Sequence, residues 1–405
     1  MLPLRMLRAR VLVGVLLSAH LLAGCSSFKN GGSEPPAGLQ CSQLVSAGGD
    51  SGSLSAALAA ASPGSCVLLE QATYAGVFSV PAGVTLASPQ GIRAVLRGGT
   101  SMQPTVSLVG AVGSGLSNLE VQVTGGVGLD IDGGPVLISD VTVSGATAAA
   151  AAASCTGPCT STAAVAFSDV DLGTSLVGLL ASGAFVTWNG GASHDHGAMG
   201  QLAGGDGIVA SQGATLQLTG VTVTNNAGVG VLVDGAGGTS ATLTNVTVSG
   251  NAGRGVWAQN LTGSADAPAL TLTQTTVTQN RIVGVGVLAS SGVVVTGGSI
   301  DSTVSAPVAT DVGSVENVGD GVDLFGGASD VRIDSAAITN NARAAGVIDA
   351  AGTGIDIVST DVQASGPSLL FVIQRSTNPV DVPSASTSSV QAPLPIASGV
   401  LPVAQ

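Results

Sequence analysis

Short runs of alternating apolar and polar residues dominate the middle of the chain. Residues 214–287 repeat one phrase three times, as ATLQLTGVTVTNNAGVGVLV, ATLTNVTVSGNAGRGVWAQ and ALTLTQTTVTQNRIVGVGV. Each copy contains three runs that alternate with a period of two, which is typical of strands with one buried face. Only a few polar or glycine residues separate the runs. The pattern therefore predicts units of three short strands and no helix.

Further copies of this unit occur on both sides of the three. If Asn226, Asn251 and Asn280 are taken as register marks, equivalent positions fall at 146, 175, 303 and 341. The successive steps are 29, 51, 25, 29, 23 and 38 residues. The step of 51 has the length of two units, and the step of 38 has the length of one unit with an insertion.

A unit of this size cannot bury its own apolar face, so it must stack on its neighbours. Stacking of like units makes parallel sheets with strands about 4.8 Å apart. Residues 54–371 resemble the right-handed parallel β-helix (pectin-lyase-like) family, which includes pectate lyases and many bacterial surface proteins. We therefore expect an all-β, single-stranded right-handed parallel β-helix, a solenoid, with a short N-terminal capping helix over residues 54–61, where apolar residues follow helical spacing.

The resemblance also implies a role for the repeated asparagines. In that family they form an internal side-chain ladder, in which hydrogen bonds make burial tolerable. The alternative is that they are ordinary solvent-facing turn residues. The residues concerned are Asn226, Asn251, Asn280 and Asn341.

Composition supports one elongated domain. Sixty glycines, 2% aromatic and 9% charged residues suggest disorder, but 45% hydrophobic content with clear periodicity excludes it. We expect residues 41–375 to form the β-helix. Residues 376–405 are rich in Ser, Pro and Val without periodicity, so this low-complexity tail is either disordered or a strap along the side, and low order is expected.

The N-terminus has the features of an export signal. A basic start precedes an apolar run that is too short to span a bilayer. The run ends in Leu-Ala-Gly-Cys25, which resembles the lipobox of bacterial lipoproteins; an ordinary signal peptide is the alternative. The resemblance implies cleavage after residue 24, acylation of Cys25, a flexible tether over residues 25–40, and a lipid anchor at the bacterial cell envelope, on the outer membrane or cell surface.

Charge restricts the partners. The net charge is −13, and removal of residues 1–24, which hold three arginines and no acid, gives −13 − 3 = −16. Nucleic acid is therefore excluded as a partner. The membrane, through Cys25, and a carbohydrate or envelope protein ligand remain.

Four cysteines remain after the lipobox. An even number in an exported chain is typical of disulfides. We expect Cys41 to pair with Cys66 and Cys155 to pair with Cys159. A metal site would need more ligands than the alanine-rich surroundings of Cys155 offer.

Reactive side chains are concentrated in the insertion at residues 187–205. His194, Asp195 and His196 lie close together, and two histidines on an extended segment would point the same way, as metal ligands do. Trp188 offers a flat face for a sugar. The alternative is an exposed, glycine-rich loop without a function.

Two carboxylates precede this insertion. The Asp169-Val-Asp171 pair suggests the two carboxylates of a glycosidase or a calcium site. In the aligned repeats, however, Asp171 occupies the outward-facing strand position that Thr142 has in another unit, and Asp169 occupies the bend between two strands that Asp140 has there. The repeat therefore favours the interpretation that both are solvated repeat positions.

Three further features are weaker candidates. Arg254, Arg281 and Arg343 each follow a register asparagine closely and could line one edge as a row for acidic sugar, or only keep the protein soluble. Trp257 is expected to face outward as a lone contact residue. Asp320-Gly321 is typical of a turn at the start of a strand.

The leading hypothesis is a non-catalytic binding, adhesion or structural module. Compared with polygalacturonase-like relatives, Asp195-His196-Gly197 is only a fragment of their motifs, and the single lysine lies in the tether. The alternative is a carbohydrate-active enzyme, a polysaccharide lyase or glycoside hydrolase, with its site at residues 187–205. No cofactor or metal is expected, and calcium enters only under that alternative.

Overall fold

The computed structural model describes residues 36, 39–156, 160–197, 204–311, 313–383, 386–397 and 401–403. The signal segment, Cys25, most of the tether and Cys159 lie outside these residues, so the predictions about them stay predictions. Within the described residues, no helix has the length and apolar character needed to cross a membrane.

Strands make up almost all of the regular structure. The first part contains β1 (Gln43–Ala47), α1 (Ser51–Ala60), β2 (Ser65–Leu69), β3 (Thr73–Ala75), β4 (Phe78–Val80), β5 (Thr85–Ala87), β6 (Ala94–Arg97), β7 (Val106–Val109), β8 (Ser114–Gln122), β9 (Leu129–Asp132), β10 (Val136–Ser144), β11 (Ala149–Ser154), a 3-10 turn (Ser161–Ala163), β12 (Val165–Gly173), β13 (Val177–Ser182) and β14 (Phe185–His194). The middle contains β15 (Asp206–Ser211), β16 (Thr215–Thr219), β17 (Thr222–Thr224), β18 (Val231–Asp234), β19 (Ser240–Thr244), β20 (Thr247–Ser249), β21 (Val256–Gln259), β22 (Leu270–Thr273), β23 (Thr276–Thr278), β24 (Ile282–Leu288), β25 (Ser291–Thr296) and β26 (Ser299–Asp301). The last part contains β27 (Ala306–Ala309), β28 (Val315–Phe325), β29 (Ser329–Asp334), β30 (Ala337–Thr339), β31 (Ala344–Asp349), β32 (Ile355–Val358), β33 (Asp361–Gln363), β34 (Leu369–Gln374) and β35 (Val380–Asp381).

These strands form two long sheets that run along the stack of coils. Sheet A has 22 strands and sheet B has 13. Successive coils pair in parallel and in register, as in Val223 with Val248 and Val248 with Val277. The antiparallel β27–β28 hairpin is an insertion in the 38-residue step. The predicted right-handed parallel β-helix is confirmed.

Left-handed backbone positions explain why each unit is interrupted where it is. An elbow divides sheet A at Gly220, Asn245 and Gln274, where φ is +63°, +54° and +50°. A second turn follows at Asn225 and Gly250, where φ is +58° and +66°. Glycine and asparagine tolerate this region best, so the short polar breaks in the sequence are the corners of the coil.

The asparagine column lies inside the solenoid. Asn226, Asn251 and Asn280 are at most 1% exposed. The Asn251 Oδ1 accepts from the backbone N–H and the Nδ2 of Asn226, at 3.1 and 2.8 Å. The Asn280 Oδ1 accepts the same pair from Asn251, at 3.1 and 2.7 Å. Asn341, also buried, accepts from the backbone N–H of Thr303 at 3.1 Å. Each buried amide is therefore satisfied by a neighbouring coil.

The N-terminal end of the core is covered by α1, as predicted. Asp50 caps the helix by accepting from the N–H groups of Gly52 and Ser53, both at 2.9 Å. Leu54 and Leu58 are buried against the first coil. The Cys41–Cys66 disulfide joins β1 to β2. The pairing of Cys155 with Cys159 stays a prediction, because Cys159 is not among the described residues.

The C-terminal segment returns along the outside of sheet B. We call residues 386–397 and 401–403 the strap. Its Ser388 N–H donates to the Phe371 carbonyl at 2.8 Å, and further along it contacts Gln374, Arg343 and then Gln259. The sequence left two alternatives for this segment, a disordered tail or a strap along the side. Over these residues the structure shows the strap, because apolar and amide groups on sheet B hold it.

Candidate functional site

The candidate residues of the insertion lie on β14 or directly after it, and His194 is on the outer wall of sheet A. The register of β12 and β14 places His194 opposite Gly173 and Ala192 opposite Asp171. Because Gly173 has no side chain, the His194 ring lies over it; a Cβ there would come within 3.1 Å of the ring. The ring can therefore reach across to the neighbouring coil.

His194 contacts two carboxylates. Its Nε2 lies 2.7 Å from Oδ1 of Asp171, and its Nδ1 lies 2.7 Å from Oδ2 of Asp195. All three side chains are partly exposed. Partial burial lowers the pKa of His194, but the neighbouring carboxylates of Asp195 and Asp171 raise it more, so its pKa is above the ordinary value. The protonated ring donates from both nitrogens, and the three residues satisfy one another.

His196 faces the opposite way, so the prediction that the two histidines act together is wrong. Asp195 has a φ of +57°, which reverses the alternation between them. His196 is 1% exposed; its Nδ1 lies 2.8 Å from the Ser175 Oγ, and its Nε2 lies 3.0 Å from the Ser193 Oγ. Burial, together with the His194 charge, lowers its pKa to about 4. The buried ring is therefore neutral and inaccessible to a substrate.

His196 continues the asparagine column. Its backbone N–H donates to the Asn226 Oδ1 at 3.1 Å, as the asparagines do among themselves. It fills the missing position between register marks 175 and 226, so the 51-residue step contains two coils. His196 is a structural residue of the interior.

Trp188 is also inside the solenoid, which corrects its interpretation as a sugar platform. It is 0% exposed and packs against Phe167 with ring centroids 5.5 Å apart. Alternation along β14 places it on the inner face, beside Leu218 of the next coil. No ligand outside the solenoid can stack on it.

Asp169 and Asp171 lie at different positions of the coil, one at a corner and one on the outer wall. Asp169 has a φ of +52° and repeats the elbow of Asp140 and Asn245, at +51° and +54°. Asp171 lies in the outward column of Thr142 and contacts His194 instead. Among the described residues, no group of three or more His, Cys, Asp or Glu side chains is arranged to hold a metal.

Trp257 faces outward from sheet B but is covered. It is 0% exposed and belongs to a cluster with Leu232, Phe325 and Ile396. The strap supplies Ile396, so the expectation that Trp257 is a free contact residue is wrong. Its Nε1 donates to the Gln259 Oε1 at 3.0 Å.

The three arginines do not form an exposed basic row. Arg254 is buried, with Cζ 4.1 Å from the centroid of the Trp257 ring. Arg343 donates from Nε to the Asp320 Oδ1 at 2.8 Å and from Nη1 to the Pro395 carbonyl at 2.6 Å. Of the three, Arg281 alone is classed as exposed. Arg343 therefore holds the strap, and Arg254 packs on Trp257.

Sequence reasoning missed the buried polar groups on this face. Asp320 and Asp323 are each 0% exposed, although Asp320 was interpreted as turn chemistry. Burial, followed by the charge of Asp320, raises the pKa of Asp323 well above its usual range. One signal was present in the sequence: outward positions of sheet B carry Leu232, Trp257 and Val347, and an apolar outer wall requires a cover.

Comparison with a protein-family model agrees with this architecture. The family described as "Right handed beta helix region" matches residues 108–304 and 206–379. No curated protein sequence matches the chain. Pectate lyase Pel9A is similar at 16% identity and a TM-score of 0.46, with 82% of each chain covered. The catalytic unit of the GH87 α-1,3-glucanase from Streptomyces thermodiastaticus strain HF3-3 has 16% identity and a TM-score of 0.43, covering 91% of this chain and 73% of the glucanase. The Dettilon tailspike protein (gp208) has 12% identity and a TM-score of 0.42, covering 76% and 64%.

Proposed function

Because the chain belongs to the right-handed β-helix family, a fold that hosts both enzymes and binding proteins, we propose from its own residues that it is a non-catalytic binding module. It is anchored to the bacterial cell envelope through Cys25, and its outer wall on sheet A binds a neutral, hydroxyl-rich carbohydrate. The observation that carries the proposal is the dispersal of the reactive side chains: His196 and Trp188 are inside the solenoid, and His194 is saturated by Asp171 and Asp195 on an open wall.

The wall itself supports the choice of ligand. In the coils from β16 to β23 its outward positions form columns of short hydroxyl side chains. Thr222, Thr247 and Thr276 pair in register, and each is partly exposed. Hydroxyls both donate and accept, as sugar hydroxyls do. The described residues of β16, β17, β19, β20, β22 and β23 include no charged side chain, so the patch suits a neutral glycan better than an acidic one.

Binding is tested with a matched pair of substitutions. Thr247→Lys places a long, charged side chain in the centre of the wall, whereas Thr262→Lys places the same side chain on an exposed loop between the sheets. Purified chain is assayed for retention on insoluble neutral polysaccharides. We expect Thr247→Lys to weaken retention at least tenfold and Thr262→Lys to leave it unchanged. Equal effects of the two substitutions on retention would exclude the wall as the binding surface.

A carbohydrate-active enzyme is the second candidate, and the His194–Asp171 contact is the observation that favours it. An exposed imidazole beside a carboxylate can transfer a proton. Neutral and acidic polysaccharides are incubated with the chain, with and without Ca²⁺, and the products are measured. Turnover that His194→Gln abolishes and His196→Asn retains would replace the binding proposal by the enzymatic one.

The anchor is tested separately. We expect the full-length chain to enter the detergent phase of a Triton X-114 separation and Cys25→Ser to stay in the aqueous phase, because acyl chains drive the partition. Ser26→Ala is the control and should behave as the parent. If Cys25→Ser partitions as before, the lipid anchor is excluded.

A further inference from the structure

The outer face of sheet B differs from the wall of sheet A because it is apolar and covered. Leu232, Trp257 and Val347 project outward in one column of sheet B, and all are buried. Leu394, Ile396, Leu401 and Val403 of the strap pack against this cluster. The strap thus behaves like an extended ligand lying in a groove along the solenoid.

Two glutamines hold the strap by its backbone. Gln374 Oε1 accepts from the Leu394 N–H at 2.7 Å, while its Nε2 donates to the Leu394 carbonyl at 2.8 Å. Gln259 repeats the arrangement on Leu401, at 2.9 and 3.0 Å. Both glutamines occupy one outward column of sheet B. A side-chain amide that pairs with both groups of one residue recognises peptide backbone, whatever side chain that residue carries.

The covered face also contains groups that the closed state leaves unsatisfied. Arg254 is 6% exposed, and its Nε has no hydrogen-bond partner among the described residues. Asp323 is 0% exposed, and neither of its carboxylate oxygens has a partner there. Burying polar groups without partners is unfavourable, so these two residues weaken closure of the face. The strap is therefore held by specific contacts and opposed by local desolvation.

We propose that this face is a binding groove for an extended, apolar peptide segment of another envelope protein, and that the strap occupies it as a displaceable stand-in. The chemistry of the present occupant identifies the class: two backbone clamps and apolar side-chain positions. A neutral polymer of unsubstituted hexoses offers hydroxyls and no N–H and C=O pair, whereas every residue of an extended peptide offers both groups. Because the strap is tethered, its high effective concentration keeps the groove closed until a competitor is abundant.

The first test uses the full chain and hydrogen exchange. A synthetic peptide corresponding to residues 386–403 serves as the probe, and a scrambled peptide of the same composition is the control. As the probe is added in excess, we expect exchange of the N–H groups of Leu394 and Leu401 to rise saturably, while amides of β18 and β21 stay protected. A probe that leaves the strap unchanged, or a polysaccharide that displaces it instead, overturns the proposal.

A second test uses the clamps. Gln374→Leu removes both bonds to Leu394 with little change in volume, and Gln217→Leu makes the same change at an exposed position on sheet A. We expect Gln374→Leu to raise strap exchange at least tenfold and to lower the probe concentration needed for half displacement, with the solenoid amides unaffected. If strap and solenoid amides exchange together in both variants, the strap opens only by unfolding and the proposal fails. The binding test on Thr247 is independent of either result.

Discussion

A single backbone angle gives the two histidines after β14 opposite environments. Asp195 adopts a left-handed conformation, so His194 turns outward to Asp171 while His196 turns inward to Ser175. One ring is surrounded by carboxylates and the other by neutral hydroxyls in a buried site. The two groups should therefore titrate in separate ranges.

Proton NMR of a chain lacking residues 1–24, which removes His20, can measure both titrations. We expect the His194 midpoint above the ordinary 6.5, because the carboxylates of Asp195 and Asp171 stabilise the cation against the opposing effect of burial. Asp171→Asn should lower this midpoint, and Asp169→Asn, which removes a carboxylate that does not contact the ring, should leave it unchanged. Equal shifts in both variants would show that only the general field acts on His194.

His196 should make the fold acid-sensitive. Its folded pKa is about 4 against 6.5 in the unfolded chain, so the unfolded state binds the extra proton first as pH falls. Its contribution is complete above pH 6.5 and is lost between about 6.5 and 4. His194 acts in the opposite direction, because its folded pKa is raised: its contribution is present below 6.5 and is lost as pH rises through the folded value.

The variant His196→Asn tests this sign. Asn keeps a polar group in the column but does not titrate, so the decline in unfolding free energy between pH 6.5 and 4 should shrink by up to roughly 3 kcal/mol. Denaturant unfolding at several pH values measures it. An unchanged pH slope in His196→Asn would mean that carboxylates alone cause the acid sensitivity, and His194→Asn should leave the slope below pH 6.5 unchanged, because the contribution of His194 changes only above that pH.

The misplacement of these histidines shows where extrapolation from periodicity stops. Alternation predicts which face of the sheet a side chain occupies only while successive residues stay extended. An aspartate such as Asp195 does not indicate a left-handed turn as glycine does. The prediction for Trp188 is wrong for a related reason. It treats the insertion as a loop, although residues 185–194 form a strand that continues the stack. The columns of the regular units, by contrast, placed Asp169 and Asp171 correctly.

Columns of equivalent side chains stabilise the coil corners. Each interior asparagine amide bonds to a neighbouring coil, while elbow asparagines such as Asn245 are exposed and only fit the left-handed backbone. The same residue type therefore has two roles in one unit, which position alone distinguishes.

Substitutions of two asparagines in one coil separate these roles. Asn251→Ala leaves the backbone N–H and one of the two Nδ2 hydrogens of Asn226 without an acceptor in a buried site, and it should lower the free energy of unfolding by about 3 kcal/mol. Asn245→Gly removes an exposed amide, keeps the positive φ accessible and should change stability by less than about 1 kcal/mol. Denaturant melts compare them; comparable losses would mean that the column contributes no more than an exposed turn.

The position of the strap could not be predicted from the repeat pattern of the sequence. Its residues lack periodicity because a segment that lies across strands follows the spacing of the coils, not a repeat of its own. The apolar outer positions of sheet B were visible, but the contacts between Gln259 and Leu401 join residues far apart in the chain. Only the folded stack brings them together.

The stack as a whole has a one-dimensional energetic organisation, since each coil contacts mainly the coils before and after it. Local losses should then spread according to position along the solenoid, not according to depth of burial. Val84, in an early coil, and Val277, in the middle, are both 0% exposed, so they form a matched pair. Their truncation to alanine removes the same two methyl groups, about 2 kcal/mol of apolar burial in each case.

Hydrogen exchange along the chain tests this dependence on position. Val277→Ala weakens a coil with neighbours on both sides, so exchange should rise in β20 and β26 alike. Val84→Ala should raise exchange in β2 and α1 and leave the middle coils unchanged, because the coils beyond it keep their own contacts. If both variants lowered protection uniformly from α1 to β34, the solenoid would unfold as one cooperative unit, and the coil would not be the energetic repeat.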